Sequence, residues 1–393
     1  MNYLNIFWQF LVLGLFSFGG PIAHISIFRK KFVENLKWLD DVEFSQILAL
    51  SNFLPGPSSS QVGFAIGLKK GGLIGGIMAF LAFTLPSFLI LYFAFILEKS
   101  FDNLLIAGIV SGLKLFAVVI VLDAVIGMFS NLCKTYISRV VFITVTFVLI
   151  FFQSFYMQIV VILLAGIYTL VYEKDEEKSK NQVKKKSLNF FTLFLFVFFL
   201  IVFPFIFKGE LSNLFNSFYQ VGAFVFGGGH VVLPLISSNI ELDENSFLTA
   251  YSLAQAVPGP MFTIASYLGA SYFEESSFIG AMVATIAIFL PGFLLIITFK
   301  DSFQYYSKNK NFARFLLGVN ASVVGILFSV FLVVVLPNAI DNVFDLIFAL
   351  FVFFIMKKYK VSIFWLILIF IIYGILGSLY VWLVGKYSFI FDL

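Results

Sequence analysis

Two Pro-Gly-Pro triplets stand inside long apolar runs, Leu54-Pro55-Gly56-Pro57 and Val257-Pro258-Gly259-Pro260. Each removes two backbone donors and combines the two residue types least suited to a helix, so a helix must break or unwind there. In lipid, broken backbone is tolerated only where protein or water satisfies the freed groups, and in transporters that place is the substrate site near the bilayer midplane. Ser58, Ser59, Ser60 and Gln61 follow the first triplet, and Pro57 suits the opening turn of a new helix. Free N–H groups, three hydroxyls and the positive end of a helix dipole then converge, which is the chemistry of an anion site. The second triplet leads into Met261, Phe262 and Thr263, a similar end with one hydroxyl, so the two half-sites should differ in polarity. The competing reading is that the prolines only kink packed helices.

Lys114 falls near the centre of an apolar run, where an ionisable group costs at least about 2.5 kcal/mol. A cation facing a bound anion would compensate; snorkelling to an interface is the alternative, over roughly ten residues to either end. Asp123 lies half a turn out of phase with Lys114 on one helix and reads as interfacial. The Phe-Gly-Gly pairs, Gly19 with Gly20 and Gly227 with Gly228, either add unwound backbone to the site or let helices approach closely. Gly63-x-x-x-Gly67 and Gly108-x-x-x-Gly112 read as packing motifs. His24 and His230 are not at equivalent repeat positions and have no Cys or acid at ligand spacing, so neither a metal site nor a cofactor is expected. No nucleophile and base pair, H-E-x-x-H motif or phosphate-binding loop is present, which argues against an enzyme and against ATP drive.

The elements that must hold these residues are helices in a lipid bilayer. Of 393 residues 61% are hydrophobic and 12% charged, about half the charge of a soluble domain. That excludes a soluble enzyme, a nucleic-acid-binding module and a disordered chain, and the runs are too long and unalternating for barrel strands. The expected fold is therefore an all-α polytopic membrane protein. Runs near 4–28, 45–66, 73–97, 104–129, 138–153 and 156–172 make a first half of six spans. A charged linker, 173–187, precedes a connecting span at 188–207. Runs near 212–236, 246–270, 277–299, 312–337, 343–356 and 361–384 follow, thirteen spans in all. The corresponding units are 1–172, 173–187, 188–207 and 208–393. The N-terminus lacks the basic region of a cleavable signal and reads as mature protein.

The second half repeats the first in its residues. Gly14-Leu-Phe-Ser-Phe-Gly19-Gly20 returns as Gly222-Ala-Phe-Val-Phe-Gly227-Gly228, the Pro-Gly-Pro triplet returns, and Leu85-Pro86 returns as Leu290-Pro291, with offsets of 208, 203 and 205. Gly112-Leu113-Lys114 against Gly318-Val319-Asn320 is a weaker fourth match. Six spans per half with one between them would invert the second copy. Under the positive-inside rule, thirteen spans with a cytoplasmic N-terminus put 17 of the 25 Lys and Arg inside. Arg29-Lys30-Lys31 and Lys37 are the main exceptions. Making the first glycine-broken segment re-entrant would bring that cluster inside, but the later loops would flip as well unless a second segment were also re-entrant. Cys133, the one cysteine, allows no internal disulfide. Small-residue faces would serve packing within one chain or a homodimer equally.

At these residues the chain resembles the chromate ion transporter family in its long form with two homologous halves. The resemblance is carried by Phe18-Gly19-Gly20-Pro21, Leu54-Pro55-Gly56-Pro57, Gly112-Leu113-Lys114, Phe226-Gly227-Gly228 and Pro258-Gly259-Pro260. It implies a secondary transporter of the bacterial cell (inner) membrane that exports chromate by alternating access, its partners an inorganic oxyanion and the lipid bilayer and not nucleic acid. Sulfate, also a tetrahedral dianion, or another small anion taken up or exchanged is the alternative substrate. The second half departs from the pattern, with Gly229 where Pro21 corresponds and Asn320 where Lys114 does.

Overall fold

The computed structural model describes residues 2–100, 104–172, 188–226, 229–240, 244–303 and 310–391; for 22, 100, 244, 245, 310 and 381–391 only the backbone is described. The charged linker and the pair Gly227 and Gly228 thus lie outside the described residues. Every regular element among those described is helical: α1 Tyr3–Phe16, α2 Gly20–Arg29, α3 Asp41–Phe53, α4 Ser58–Ser100, α5 Leu104–Leu132, α6 Tyr136–Phe151, α7 Phe155–Tyr172, α8 Phe190–Val197, α9 Phe203–Ile206, α10 Glu210–Phe224, α11 Val232–Asn239, α12 Glu244–Ala256, α13 Ile264–Tyr272, α14 Ser277–Phe299, α15 Lys310–Val330, α16 Leu336–Ala339, α17 Val343–Tyr359 and α18 Ile363–Phe391. Among the described residues, six helical stretches are long and apolar enough to cross a membrane: Ser58–Lys99, Leu104–Leu132, Phe155–Tyr172, Glu274–Phe299, Asn311–Ala339 and Ile363–Tyr380. The chain is a multi-pass membrane protein.

Polar residues start several helices. Asp40 with Glu43, Thr135 with Ser138 and Asn342 with Asp345 form reciprocal capping boxes at the heads of α3, α6 and α17, which satisfies the orphan N–H groups of a first turn. Two helices widen into π turns, Phe198–Val202 and Phe331–Val335, just ahead of Pro204 and Pro337. A proline ring clashes with the carbonyl four residues back. Here that carbonyl belongs to Leu200 or Val333, inside the widened turn, which makes the room.

The structure interrupts the runs 4–28, 45–66, 212–236 and 246–270. Each is two short helices around a break: α1 and α2, α3 and the first arm of α4, α10 and α11, α12 and α13. The arms fold back on each other. Phe28 and Phe32 return to Phe10, with Phe10 and Phe32 stacked at 4.7 Å. Glu43 at the head of α3 forms an ion pair with Lys69 at the end of the first α4 arm. In the second half the Asn239 side chain donates to the Ser217 carbonyl at 2.9 Å, tying the end of α11 to α10, and α12 packs against α13. Hydropathy cannot separate a run of about twenty residues that crosses from two arms of half that length that turn back. α4 itself turns at Gly71 and Gly72, the latter at φ +60°, so its arms 58–70 and 73–100 form a hairpin held by Gly67 against Gly75 and Ala79. Gly269 against Gly280 and Ala284 does the same between α13 and α14.

Contacts between the halves come in matched pairs. Gly112 of α5 faces the Phe370 carbonyl of α18, and Gly318 of α15 faces the Ala165 carbonyl of α7. Within each half the contacts match as well: Gly14 abuts the Phe83 carbonyl and Gly222 that of Ile288. Across the centre the second arm of α4 lies along α14. Phe80 meets Phe289 (5.1 Å), Phe88 meets Phe278 (5.9 Å), Tyr92 Oη lies 3.3 Å from Ser277 Oγ, and Lys99 pairs with Glu274 (2.7 Å). Numbers rise on one helix as they fall on the other, so these offset-matched helices run antiparallel.

Candidate functional site

Four breaks meet at the centre of the fold. α1 ends at Phe16, Ser17 is extended, and Gly19 and Gly20 have φ +99° and +73° before α2 restarts with Pro21 in its first turn. α3 ends at Phe53, Gly56 has φ +124°, and α4 restarts at Ser58. In the second half α10 stops at Phe224 and a 3-10 turn, Gly229–Val231, leads into α11. α12 stops at Ala256, Gly259 has φ +101°, and the turn Met261–Thr263 leads into α13. Each Pro-Gly-Pro loop is bonded to the broken first segment of the other half. The Gly56 N–H donates to the Val225 carbonyl at 2.7 Å, and the Gly259 N–H donates to the Ser17 carbonyl at 2.9 Å. Gly56 also rests on Gly292 and Gly259 on Ser87, while Gly229 lies against Met261 and Pro21.

In the first half several polar atoms of this cluster are buried without a partner. Ser58 is half-buried, and Ser59, Ser60 and Gln61 are buried. Like any first turn, that of α4 leaves its N–H groups without helical acceptors. The Gln61 amide nitrogen donates to the carbonyls of Pro55 (2.9 Å) and Gly292 (3.3 Å), bracing the loop against α14. Ser60 Oγ, Gln61 Oε1, Ser17 Oγ and Thr84 Oγ1 are buried without a hydrogen-bond partner. A buried polar atom left unpaired costs roughly 1–3 kcal/mol, so water or a bound anion would find acceptors or donors here.

The second half is more closed. Thr263 Oγ donates to the Pro260 carbonyl at 2.5 Å, so the hydroxyl expected at the site is tied into its own loop. Pro258, Gly259 and Pro260 are buried. His230 Nδ1 lies 2.8 Å from Tyr251 Oη, and the Gln255 amide donates to Met261 Sδ at 3.2 Å. The two half-sites therefore differ in polarity.

Lys114 is half-buried on α5 and makes no hydrogen bond or ion pair with any described residue. Next to it, the Leu113 carbonyl accepts from Ser252 Oγ of α12 at 2.6 Å, which sets Lys114 beside the arm that enters the second Pro-Gly-Pro loop. Leu54, ahead of the first loop, shares a core with Ala117 and Val121 of α5. Asn320, half-buried on α15, holds the matching position. Asp123 pairs with Lys357, not with Lys114.

His24 is the residue that sequence reasoning missed. It is fully buried, with Nδ1 3.3 Å from Ser59 Oγ and Nε2 3.2 Å from the Ser17 carbonyl, which also accepts from Gly259. Its partners are 35 and 7 residues away, so only the fold brings them together. The available signal was that each histidine closely follows a glycine pair in an apolar segment, where an ionisable residue is functional by default.

Discontinuous helices meeting at mid-fold are an architecture of membrane transporters. Residues 4–170 and 212–375 match the chromate transporter family, and the chain belongs to it. The chain is 30% identical over 340 residues to an uncharacterized transporter of Methanocaldococcus jannaschii, covering 83% of both proteins. It is 28% identical over 329 residues to a probable chromate transport protein of Synechococcus elongatus, covering 80% of each. It is also 26% identical over 344 residues to a chromate transport protein of Pseudomonas aeruginosa, covering 83% of this chain and 80% of that one. No solved structure matches the chain.

Proposed function

We propose that this chain is a secondary transporter of the bacterial inner membrane that exports chromate, or a related tetrahedral oxyanion, by alternating access. The reading is carried by the convergence of the α4 first turn, Ser58 to Ser60 and the two glycine-broken segments on one spot, bonded reciprocally between halves. The anion is held by the α4 N–H groups, the serine hydroxyls and the Lys114 ammonium, with Gly19 and Gly20 opening the approach. Pro55, Gly56 and Pro57, with Pro258, Gly259 and Pro260, keep the helix ends unwound, and Asn320 leaves the second half neutral. Family relatives named for chromate transport support chromate as the substrate. Sulfate presents the same charge and shape and is the second reading. Export of a free dianion from a negative interior releases about 4.6 kcal/mol per 100 mV, roughly three decades of gradient. Flux of labelled chromate and sulfate in proteoliposomes holding the purified chain tests the reading; folded protein that moves neither anion would refute it.

The two halves are read as inverted repeats, 1–172 and 208–393, joined by the linker 173–187 and the connecting helix 188–207. Antiparallel packing of the matched helices, the second α4 arm and α14, supports the inversion. With four re-entrant hairpins the number of crossings falls from thirteen to nine: the second α4 arm, α5, α6, α7, α8 with α9, α14, α15 with α16, α17 and α18. Two re-entrant segments per half bring Arg29, Lys30, Lys31 and Lys37 to the cytoplasmic side with no change to the later loops. Only Lys99, Lys208 and Lys386 then lie outside and Lys114 within the membrane, which leaves 21 of the 25 basic residues inside, a better fit to the positive-inside rule. On a Cys133→Ser background, cysteines introduced at Lys37 and Lys134 should both react with a membrane-impermeant thiol reagent only from the cytoplasmic face. Labelling of position 37 from outside would restore the thirteen-span topology.

A further inference from the structure

His24 is neither a metal ligand nor a nucleophile, yet it joins three of the four broken segments: its own α2, Ser59 at the head of α4, and the Ser17 carbonyl to which Gly259 is bonded. A carbonyl can only accept, so Nε2 carries a hydrogen, and in the neutral ring Nδ1 is then the acceptor of the Ser59 hydroxyl. In that state the Ser59 hydrogen points at the histidine and not at the anion site. A proton added at Nδ1 reverses the bond. Nδ1–H donates to Ser59 Oγ, the Ser59 hydrogen is released toward the first turn of α4, and a positive charge appears one side chain from the site.

We propose that His24 takes up one proton as the anion binds, so that the transporter moves a proton together with its dianion. The inference rests on the oxyanion reading above and adds a second transported species to it, which lowers the net charge carried from two to one and halves the electrical drive given there for a free dianion. By linkage, a site that binds the anion better when His24 is charged must bind the proton better when the anion is present, by the same factor. Among the described residues, the other ionisable groups of the centre are Lys114 on α5 and His230 in the turn Gly229–Val231, whose Nδ1 lies 2.8 Å from Tyr251 Oη. α1 contains no charged residue, and the second Pro-Gly-Pro loop none. On α4, Lys69 and Lys70 lie at the far end of the first arm, with Lys69 engaged by Glu43, and Glu98 and Lys99 lie at the end of the second arm. On α2, Arg29 is held by Glu34 and Asp41. Phe83 presents only its ring to His24, at 5.3 Å.

The test uses the full chain in proteoliposomes with the potential clamped, an internal pH dye and labelled chromate or sulfate; the proton count is read with sulfate, which stays a dianion near neutral pH, because delivered chromate itself takes up protons. One proton should move with each anion, and apparent affinity should strengthen by up to about tenfold per unit fall in pH over the interval in which the anion-bound protein holds the proton and the free protein does not. His24→Asn keeps a donor and an acceptor but cannot be charged. Proton movement should be lost and the pH slope of the remaining anion flux flattened, whereas a merely structural histidine would lower flux equally at every pH. Anion flux without proton movement and with pH-independent affinity in the wild type would overturn the proposal and leave the transporter reading intact, as would an unchanged proton count in His24→Asn. Absence of anion flux in the wild type would overturn both. Should His24→Asn fail to fold, the wild-type proton count decides alone.

Discussion

Replacing Gly56 with alanine is expected to stop transport, with insertion into the membrane retained. Gly56 sits at φ +124°, and a Cβ there would lie 2.8 Å from the Gln61 amide nitrogen and 3.1 Å from Gly292 Cα. The left-handed backbone costs an alanine about 1–2 kcal/mol, and forcing a methyl group against packed atoms costs about 1–3 kcal/mol more. Gln61 can swing aside only by giving up its bonds to Pro55 and Gly292, which would release the loop from α14. The N–H that reaches Val225 would shift with it. Flux per folded molecule should fall more than about tenfold and thermal stability should drop. Gly72→Ala provides the contrast, since Gly72 (φ +60°, ψ −158°) is also strained for alanine but faces open space; it should cost about 1–3 kcal/mol and leave transport per folded molecule near normal. Equal behaviour of the two variants would show that the Gly56 loop is not the organising contact.

Lys114→Gln should weaken anion binding by about ten- to a hundredfold, the value of a charge-assisted hydrogen bond of roughly 1.5–3 kcal/mol. Lys114 makes no ion pair or hydrogen bond with a described residue, and Asp123, the acid on the same helix, is held by Lys357. A cation so placed loses little fold stability when neutralised. Melting temperature should therefore change little, and the loss should appear in apparent affinity for chromate or sulfate. Lys114→Arg, which keeps the charge, should recover part of it. A Lys114→Gln protein with unchanged anion affinity would remove the ammonium from the site.

Much of this architecture was legible in residue types. Proline and glycine report backbone constraints directly, so the breaks at 55–57 and 258–260 and the duplication they belong to could be read without coordinates. The fold-back of the arms could not, because hydropathy counts apolar residues and is blind to direction. Its trace was the cluster Arg29-Lys30-Lys31, which sat on the wrong side of a thirteen-span chain and needed two re-entrant segments to move. Thr263 shows the opposite limit. Its hydroxyl is available by composition, and a local bond to Pro260 engages it, a choice decided by loop geometry. His24 escaped notice because its meaning lies in the pairing of α2 with α4 and of one half with the other.

The most direct test of the central claim is the voltage dependence of labelled chromate flux in proteoliposomes, wild type beside Lys114→Gln, with sulfate as the second anion. The account predicts flux that rises as the compartment holding the anion is made negative and that is strongly reduced in the variant. Chromate flux indifferent to voltage, or equal in the two proteins, would contradict it.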